Sequence, residues 1–397
     1  MNSKRKQSFY MNSKTTYTIM ITGGGTGGHY YPAIAIADAI REQAKQLSEN
    51  IDIQCHYIGS KLGIEQRLAP KYDYPYTLVP IKGFSRYISL ASFLQNLILP
   101  FRLLISWFKI KRLYHQLDPI ATVATGGYVS LIPGLVSHRN HVPLFLQEQN
   151  AFPGVTSRML AKRAMGLFYS YDSVKDHIKD DVLFIKSSNP VRSSIKRIDK
   201  VKARMLMELD PDKFTLFIFG GSQGAMNVNK YIAKRVQSWI HKYDIQILWQ
   251  TGDASYDMLC RQFCEHKSIH LKPYIENMSA AYSAADMVIS RAGALTLAEI
   301  EKMRKPSILI PLPTAAGNHQ YHNAKALESL GCAVIVEESE FPDKPLVKHL
   351  NNMINSPDKL INMANAFPKL KEDAAEQIAR DILSQLQIFY TWSQDES

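Results

Sequence analysis

Two glycine-rich turns constrain the fold of this chain more than any other feature. The first, at Thr22–His29, reads TGGGTGGH, and the second, at Gly220–Gly224, reads GGSQG. Each follows a short strand-like run, Thr18–Thr22 or Phe214–Phe219, and precedes a longer amphipathic run that is typical of a helix. Glycine at such a turn lets an anion approach the N–H groups at a helix start. We therefore expect two α/β halves, each with a phosphate-binding turn.

The rest of the chain alternates short apolar runs with longer helical patterns, which indicates α/β domains with parallel sheets. A polar and basic stretch at 187–212 separates two such series. We predict a basic tail at 1–16, an N-terminal Rossmann-like domain at 17–190, a second one at 191–371, and a helix within 372–397 that packs back on the N-terminal domain. Further expected strands are Ile51–Ile58, Ile120–Ala124, Leu144–Gln147, Gln246–Gln250, Met287–Ser290 and Ser307–Pro311, and the clearest helices are Pro32–Gln46 and Val228–Lys242.

Charge and cysteine content narrow the functional classes. The 397 residues include 47 Lys and Arg against 36 Asp and Glu, a net charge of +11, which predicts an anionic partner. Four cysteines are too few for a disulfide framework and indicate a reducing compartment. We expect Cys260 and Cys264 to be half-buried thiols on a helix, in preference to a zinc site with His266 and His270.

The first glycine-rich turn has a second interpretation. Gly23, Gly25 and Gly28 satisfy the G-x-G-x-x-G fingerprint of NAD- or FAD-binding domains. Such domains carry an acidic residue at the end of the second strand, and here that strand ends at Tyr57–Ser60 without one. An oxidoreductase is therefore the weaker alternative, and a glycine-rich turn in each half favours a nucleotide-sugar transferase.

A third helix start, at Arg291–Thr296, follows the strand Met287–Ser290. Thr296 and Glu299 have the S/T-x-x-E spacing of a capping box, and spacing alone favours that structural role. In the alternative, the N–H groups of this turn bind a diphosphate and Glu299 accepts hydrogen bonds from ribose hydroxyls.

The segment Tyr74–Leu117 lacks Asp and Glu but contains six basic residues, so it concentrates positive charge. Part of it has an apolar stripe at helical spacing beside a polar stripe, which is typical of a helix at a membrane surface. The alternative is a core helix with a basic outer face. No uninterrupted run of about twenty apolar residues occurs, so we expect no spanning helix, and no nucleic-acid motif occurs. The apolar stripe is Phe101, Leu104, Ile105 and Phe108, and the polar stripe is Arg102, Ser106, Lys109 and Arg112.

Taken together, several segments resemble the MurG family, bacterial transferases that add N-acetylglucosamine from UDP-GlcNAc to the lipid-linked muramyl-pentapeptide precursor of peptidoglycan. The resemblance implies the GT-B fold, in which the C-terminal half binds the nucleotide sugar and the N-terminal half meets the acceptor and the membrane. The matching stretches are TGGGTGGHYYPAIAIADAI, TGGYVS, QEQNAFPGVTSRMLAKRA, NPVR, GGSQGAMNVNK, YIENMSAAYSAADMVISRAGALTLAEI and HQYHNAKALESLG.

The same resemblance implies the donor contacts. Ile275 would meet uracil, Glu299 the ribose, and Gln320 the sugar hydroxyls. The sequence departs from the family pattern at Gln147, where many members have His, and at Ser188 and His319. The implied donor-binding residues are Thr26, Gly27, Gly28, Asn150, Arg192, Ser222, Ile275, Ala294, Leu295, Thr296, Leu297, Ala298, Glu299 and Gln320.

The implied reaction is an inverting transfer in which the muramyl 4-hydroxyl attacks the anomeric carbon and UDP leaves. His29 is the expected proton acceptor, because an imidazole with a pKa of about 6.5 is largely uncharged at neutral pH and can accept a proton. Glu148 is the second choice. Helix N-termini and Arg192 are expected to stabilise the leaving diphosphate without a metal or cofactor. Expected partners are UDP-GlcNAc, the undecaprenyl-pyrophosphate-linked acceptor, an anionic membrane at the cytoplasmic face of the inner membrane, and a cell-wall synthesis complex. A non-catalytic binder of lipid-linked sugars is the remaining alternative.

Overall fold

Two parallel β-sheets, each flanked by helices, form the framework of the molecule. The computed structural model describes residues 15–47, 51–84, 89–179, 181–221, 224–343, 345–368 and 372–386. Residues 1–14 of the predicted tail, Ser222, Arg86 and the end of the predicted C-terminal helix, 387–397, lie outside the described residues.

The N-terminal sheet is built from seven strands in the described part of the chain, in the order β3-β2-β1-β4-β5-β6-β7, all parallel. The strand order reverses between β1 and β4, which is the point where α/β sheets open a crevice for ligands. The strands are β1 (Thr15–Thr22), β2 (Ile51–Ser60), β3 (Tyr76–Val79), β4 (Ala121–Ala124), β5 (Leu144–Glu148), β6 (Gly166–Tyr169) and β7 (Leu183–Lys186).

The C-terminal sheet has six parallel strands among the described residues, in the order β10-β9-β8-β11-β12-β13. Its reversal lies between β8 and β11, so the second glycine-rich turn and the third helix start follow neighbouring strands. The strands are β8 (Thr215–Phe219), β9 (Gln246–Gln250), β10 (Ile269–Lys272), β11 (Met287–Ser290), β12 (Ser307–Leu309) and β13 (Ala333–Ile335).

Helices cover both sheets, and their apolar side chains pack against those of the strands in the cores. The N-terminal helices are α1 (Gly27–Leu47), α2 (Glu65–Leu68), α3 (Leu90–Leu117), α4 (Leu131–Arg139), α5 (Val155–Leu160) and α6 (Val174–His177). The others are α7 (Lys200–Leu206), α8 (Met226–Ala233), α9 (Val236–Tyr243), α10 (Asp253–Phe263), α11 (Met278–Ala284), α12 (Ala294–Met303), α13 (His319–Ser329), α14 (Pro345–Ile354), α15 (Pro357–Ala366) and α16 (Ala374–Gln385).

Helix α16 returns from the C-terminal half and packs on α1. Its apolar face, including Ile378 and Ile382, is fully buried in the core cluster that α1 forms with the N-terminal sheet. The Gln43 side chain donates to the carbonyl of Glu376 at 2.7 Å. The two halves are therefore connected by the linker after β7 and by this returning helix.

The predicted helix Val228–Lys242 is wrong as a single element. The structure has two helices there, because the chain turns between Ala233 and Val236. Both helices bury an apolar face in one core cluster, so the spacing of apolar residues continues across the turn and hides it in the sequence.

Helix α3 differs from expectation in its length and in the position of Ser106. It runs without interruption through Pro100, and its segment Phe93–Leu117 is long and apolar enough, by length and composition alone, to cross a membrane; no such helix was expected. Its core face contains Ser106, Ile110 and Tyr114, which are buried. Ser106 therefore does not belong to an outward polar stripe. The buried face agrees with the alternative of a core helix, but the exposed face of α3 carries large apolar side chains in addition to basic ones.

The outer face of α3 is apolar. Its side chains are between 45% and 68% exposed, and they extend the predicted stripe by more than a turn toward the N-terminus. Arg102 is half-buried, whereas Lys109 and Arg112 are exposed, and the Lys109 ammonium donates to the carbonyl of Leu78 at 2.9 Å. The exposed apolar residues are Phe93, Leu94, Leu97, Ile98, Phe101, Leu104, Ile105 and Phe108.

The expectation of two free thiols on α10 is contradicted. The structure joins Cys260 in the last turn of α10 to Cys264, the C-cap residue of that helix, in a disulfide, and their Cα atoms are 4.6 Å apart, a distance that a disulfide can bridge. Cys55 and Cys332 are free and buried.

Candidate active site

The first glycine-rich turn presents His29 at the start of α1. The helix begins at Gly27, within the glycine-rich stretch, and the carbonyl of Thr26 accepts from the N–H of Tyr30 at 3.1 Å. Thr26 is exposed, Gly27 and Gly28 are half-buried, and His29 is half-buried in the first helical turn. His29 is thus fixed by the helix and does not lie on a loop.

Two oxygen atoms surround one ring nitrogen of His29. The Nδ1 atom lies 3.0 Å from the carbonyl oxygen of Thr125 and 2.9 Å from Oε1 of Gln149. Both are acceptors, so Nδ1 carries the proton and donates it. In the neutral imidazole this leaves the lone pair on Nε2, which is the protonation pattern that a general base requires.

The orientation of Gln149 is set by a buried amide network. Its Nε2 donates to the carbonyl of Thr125 at 2.7 Å and to the side chain of Gln147, so its Oε1 must face His29. Gln147 donates to Oδ1 of Asn189 at 3.2 Å, and Asn189 donates back to the carbonyl of Gln149 at 2.9 Å. Gln147, the departure from the family pattern, therefore supports the residue that holds His29.

Two glycines after β4 make room for this histidine. Gly126 and Gly127 have φ of 97° and 75°, in the region that favours glycine. A Cβ on Gly126 would lie 3.0 Å from Nδ1 of His29, and one on Gly127 would overlap the carbonyl oxygen of Gly24. The TGGYVS stretch is therefore a support for the first glycine-rich turn, a role that its sequence did not reveal.

A buried carboxylate lies beneath the first turn. Glu65 is fully buried, and its Oε1 accepts from the N–H of Gly25 at 2.5 Å. Its Oε2 has no hydrogen-bond partner, and a Cβ on either Gly24 or Gly63 would overlap the carboxyl group. Burial raises the pKa of Glu65. Sequence analysis missed this residue, because only the folded chain brings α2 under the turn.

The carboxylate of Glu148 binds the loop that follows β5. One carboxylate oxygen accepts from the main-chain N–H of Asn150 and the other from that of Gly154, both at 3.0 Å. The side chain is 2% exposed. These contacts give Glu148 a structural role in shaping the loop.

The same loop touches the C-terminal half through Asn323 of α13. The N–H of Ala151 donates to Oδ1 of Asn323 at 2.9 Å, and Nδ2 of Asn323 donates to Oδ1 of Asn150 at 3.3 Å. Asn323 is fully buried. The structure thus brings the predicted donor residue Asn150 to the boundary between the two halves, opposite a residue that sequence analysis did not select.

Arg192 and Glu299 meet where the linker, α1 and α12 converge. The Arg192 guanidinium lies 3.6 Å from Oε1 of Glu299 and 4.3 Å from the centre of the Tyr31 ring. The hydroxyl of Tyr282 donates to Oε2 of Glu299 at 3.0 Å. Burial raises the pKa of Glu299, which is 5% exposed.

The capping-box interpretation of Thr296 and Glu299 is wrong. Gly293 is the N-cap residue of α12, no side chain caps the helix, and the Glu299 carboxylate faces Arg192 and Tyr282. The N–H groups of the first turn of α12 therefore lack a side-chain partner from a cap. Arg291 fixes the preceding turn by donating to the carbonyls of Ile310 and Pro311, each at 3.2 Å.

The remaining predicted donor residues fall into two groups. Leu295, Thr296 and Gln320 are half-buried, and Gln320 accepts from the N–H of Leu312 at 3.0 Å. The other four are buried: Ile275, Ala294, Leu297 and Ala298.

The second glycine-rich turn is held by Gln250 at the end of β9. Its Nε2 donates to the carbonyl of Gly221 at 3.2 Å, and its Oε1 accepts from the N–H of Ile275 at 2.9 Å. Gly221 has a φ of 84°. The side-chain amide of Gln250 therefore links the second glycine-rich turn to Ile275, the predicted uracil contact.

Within the described ranges, no group of three or more His, Cys, Asp or Glu side chains could hold a metal ion.

Comparison with known proteins agrees with this architecture. Residues 19–168 match the family described as "Glycosyltransferase family 28 N-terminal domain", and residues 215–381 match "Glycosyltransferase family 28 C-terminal domain". The crystal structure of Acinetobacter baumannii MurG superposes with a TM-score of 0.69 at 24% identity, covering 94% of this chain and 100% of that one. A UDP-GlcNAc 2-epimerase from Neisseria meningitidis bound to UDP-GlcNAc shares the fold, with a TM-score of 0.64 at 12% identity over 94% of this chain and 99% of that one. The fold and the two domains define a glycosyltransferase of the GT-B class, as predicted.

Sequence relatives show which family of GT-B glycosyltransferases the chain belongs to. A protein from Desulforamulus reducens named "UDP-N-acetylglucosamine--N-acetylmuramyl-(pentapeptide) pyrophosphoryl-undecaprenol N-acetylglucosamine transferase" is 37% identical over 359 residues, 88% of this chain and 94% of the relative. A protein of the same name from Salinibacter ruber is 34% identical over 375 residues, 94% of this chain and 98% of the relative. The chain belongs to the family of these transferases, the MurG family. This membership contradicts the oxidoreductase alternative.

Proposed function

We propose that this protein transfers N-acetylglucosamine from UDP-GlcNAc to the 4-hydroxyl of an undecaprenyl-pyrophosphate-linked muramyl-pentapeptide, with inversion at the anomeric carbon. The names of the relatives identify the donor and the acceptor. The observation that carries the mechanism is the fixed tautomer of His29, whose Nδ1 donates to two oxygens. In the proposed step, Nε2 accepts the proton of the acceptor hydroxyl as its oxygen bonds to the anomeric carbon and the bond to UDP breaks.

Glu148 is the weaker candidate for this proton. Both of its oxygens already accept main-chain N–H groups of the following loop, and a proton acceptor must be able to reach the reacting hydroxyl. We assign Glu148 to the shape of that loop, which carries Asn150 to Asn323.

The leaving diphosphate requires stabilisation of negative charge. Helix starts supply oriented N–H groups for this, and two of them follow the adjacent strands β8 and β11. Arg192 adds a fixed positive charge where the linker meets α12. In this proposal the ribose hydroxyls bind Glu299, the uracil ring lies beside Ile275, and the sugar hydroxyls meet Gln320.

We propose a peripheral location at the cytoplasmic face of the inner membrane, and the outward apolar face of α3 supports the membrane contact itself. Eight large apolar side chains on it are exposed, and basic residues lie close along the same helix. A helix of this kind embeds its apolar side chains while each basic residue gains about 1 kcal/mol from anionic headgroups. The other face of α3 packs Ile110 and Tyr114 into the core, which favours a helix lying on the surface over one that crosses the membrane.

The experiment that tests this function is label transfer. Purified protein is incubated with labelled UDP-GlcNAc and lipid-linked muramyl-pentapeptide, and the lipid fraction is counted. We expect label in the lipid fraction only when both substrates are present. Tight substrate binding without transfer would instead identify a non-catalytic binder of lipid-linked sugars.

A further inference from the structure

A cavity of about 550 Å³ opens at the amino-terminal edge of the C-terminal sheet. Its floor is formed by residues that directly precede three strands: Phe214 before β8, Asp286 before β11 and Pro306 before β12. The candidate active site follows the carboxyl ends of the same strands, so the two sites lie at opposite edges of the sheet. The volume falls within the range of about 300–1,000 Å³ that is typical of small-molecule sites.

The one acidic side chain of the cavity is already neutralised. The Asp286 carboxylate pairs with Lys200 through one oxygen, and through the other accepts from Arg204 at 2.6 Å and from the N–H of Thr215 at 2.7 Å. The two cations that Asp286 contacts already exceed its single negative charge.

Three further cations of the cavity contact only main-chain carbonyls. Lys305 donates to Ala285 at 2.7 Å, Arg304 donates to Phe367 at 3.0 Å, and Arg197 approaches Met303 at 3.5 Å. None of the three forms an ion pair with a side chain that the structure describes.

Lys305 is a buried cation in this group. Burial lowers its pKa to about 8 despite the nearby Asp286, and repulsion from Lys200 and Arg197 adds to the effect. A buried ammonium of this kind is stabilised when an anion enters beside it.

Another part of the cavity wall is apolar. Leu360 and Ile361 of α15, with Ile354 of α14, line it, and Ile361 is 56% exposed. An inorganic anion would leave this wall in contact with water, and a neutral hydrocarbon would leave the three cations without a counter-charge. The two walls together fit a ligand that has one charged end and one apolar end.

We propose that this cavity binds an amphiphilic organic anion. Its phosphate or carboxylate head contacts Arg197, Arg304 and Lys305, and its hydrocarbon part lies against Leu360 and Ile361. The site is separate from the proposed transferase reaction, so either assignment can fail without the other.

Decyl phosphate below its micelle concentration is the probe, and titration calorimetry is the measurement. The protein in these titrations carries Ile105→Glu and Phe108→Glu. The two substitutions disrupt the exposed apolar face of α3, which could otherwise bind the hydrocarbon part of the probe. We expect decyl phosphate to bind at least tenfold more tightly than inorganic phosphate or decanol. Equal binding of inorganic and decyl phosphate would overturn the proposal.

Two variants locate the bound probe. Lys305→Met is expected to weaken binding at least tenfold, and the exposed substitution Ile361→Glu is expected to do the same without affecting folding, because it places a carboxylate beside the hydrocarbon. Lys230→Met, an exposed position on α8 outside the cavity, is the matched control. Affinities of both test variants within twofold of the parent protein would overturn the proposal.

Binding to phosphatidylglycerol vesicles distinguishes a membrane lipid from a soluble organic anion as the ligand. These measurements use protein with the unaltered α3 sequence. Weaker vesicle binding by Lys305→Met supports the proposal with a membrane lipid as ligand. Unchanged vesicle binding together with lost decyl phosphate binding supports it with a soluble organic anion.

Discussion

Arg192 and Glu299 form an ion pair of 3.6 Å that connects the linker between the two sheets to helix α12. The same guanidinium lies over Tyr31 of α1, so one side chain contacts both halves of the molecule. Because Glu299 is the proposed ribose contact, a bound nucleotide must compete with or rearrange this pair. Donor binding is therefore expected to be coupled to the relative position of the two halves.

Glu299→Gln is expected to weaken donor binding. The Glu299 carboxylate can accept hydrogen bonds from two ribose hydroxyls, whereas the single oxygen of an amide replaces only part of these bonds. The binding free energy of the donor should therefore weaken by about 1.5–3 kcal/mol, or roughly 10- to 100-fold in Kd. The measurement is the Kd of UDP together with the KM of UDP-GlcNAc. Glu301→Gln, two residues further along α12, is the matched control and should change neither value. An unaltered UDP affinity in Glu299→Gln would remove this residue from the donor site.

His29→Ala is expected to lower kcat by about 10²- to 10⁴-fold, the usual contribution of a general base. The Kd of UDP-GlcNAc should stay within twofold, because the proposed proton transfer involves the acceptor. His138→Ala, at an exposed position on α4, serves as the control. A kcat within threefold of the parent value would exclude His29 as the base.

Glu65 is expected to act as a positioning residue for the first glycine-rich turn. Glu65→Ala leaves the Gly25 N–H without its acceptor and should cost about 1–3 kcal/mol of unfolding free energy, with a fall in kcat. Glu65→Gln retains an acceptor oxygen and should restore most of the kcat. Urea unfolding and steady-state kinetics test both, and equally low kcat values in the two variants would contradict this role.

The outer face of α3 is expected to control membrane attachment. Ile105 and Phe108 are 57% and 63% exposed, so changing both to Glu should leave the unfolding free energy nearly unchanged. Binding to anionic vesicles at low salt should fall at least tenfold, since apolar insertion is lost and negative charge is added. Co-sedimentation measures this, with the exposed Met205→Glu as control. Equal vesicle binding by the double variant and the parent protein would refute the assignment of this face.

His56 is expected to contribute to acid unfolding. Burial lowers its pKa from 6.5 to about 4, so between these pH values the unfolded chain binds a proton that the folded protein does not. Stability therefore falls as the pH drops from about 6.5 to 4, by about 2 kcal/mol from this group. His56→Gln should show a smaller loss over this range in denaturant titrations, and the exposed control His115→Gln should match the parent. Parallel pH profiles for His56→Gln and the parent would contradict the prediction.

Much of the fold could be predicted because each strand is short, apolar and followed by a turn residue. The strands Gln246–Gln250 and Met287–Ser290 were predicted with their observed bounds. The break after Ala233 could not be predicted, since apolar spacing continues through it. The sequence pattern left two orientations of α3 open, because both faces of that helix carry apolar residues and only packing decides which face is buried.

The local motifs indicated where site residues lie, but long-range contacts determine what they do. His29 pairs with Gln149, 120 positions away, and Glu65 reaches the Gly25 N–H across 40 positions. Thr296 and Glu299 have capping-box spacing, yet a tertiary partner, Arg192, takes the carboxylate. Spacing along the chain contains no information about such partners, so sequence analysis missed Glu65 and misjudged the capping box.

The most direct test of the central claim is the configuration of the transferred sugar. The lipid-linked product formed from UDP-GlcNAc and the muramyl-pentapeptide acceptor is hydrolysed to its disaccharide, and the coupling between H1 and H2 of the GlcNAc ring is measured by proton NMR. The inverting mechanism predicts the large coupling of a β-linked sugar, joined to the muramyl 4-oxygen. A small coupling, which denotes an α-linkage, or the absence of any disaccharide would contradict the account.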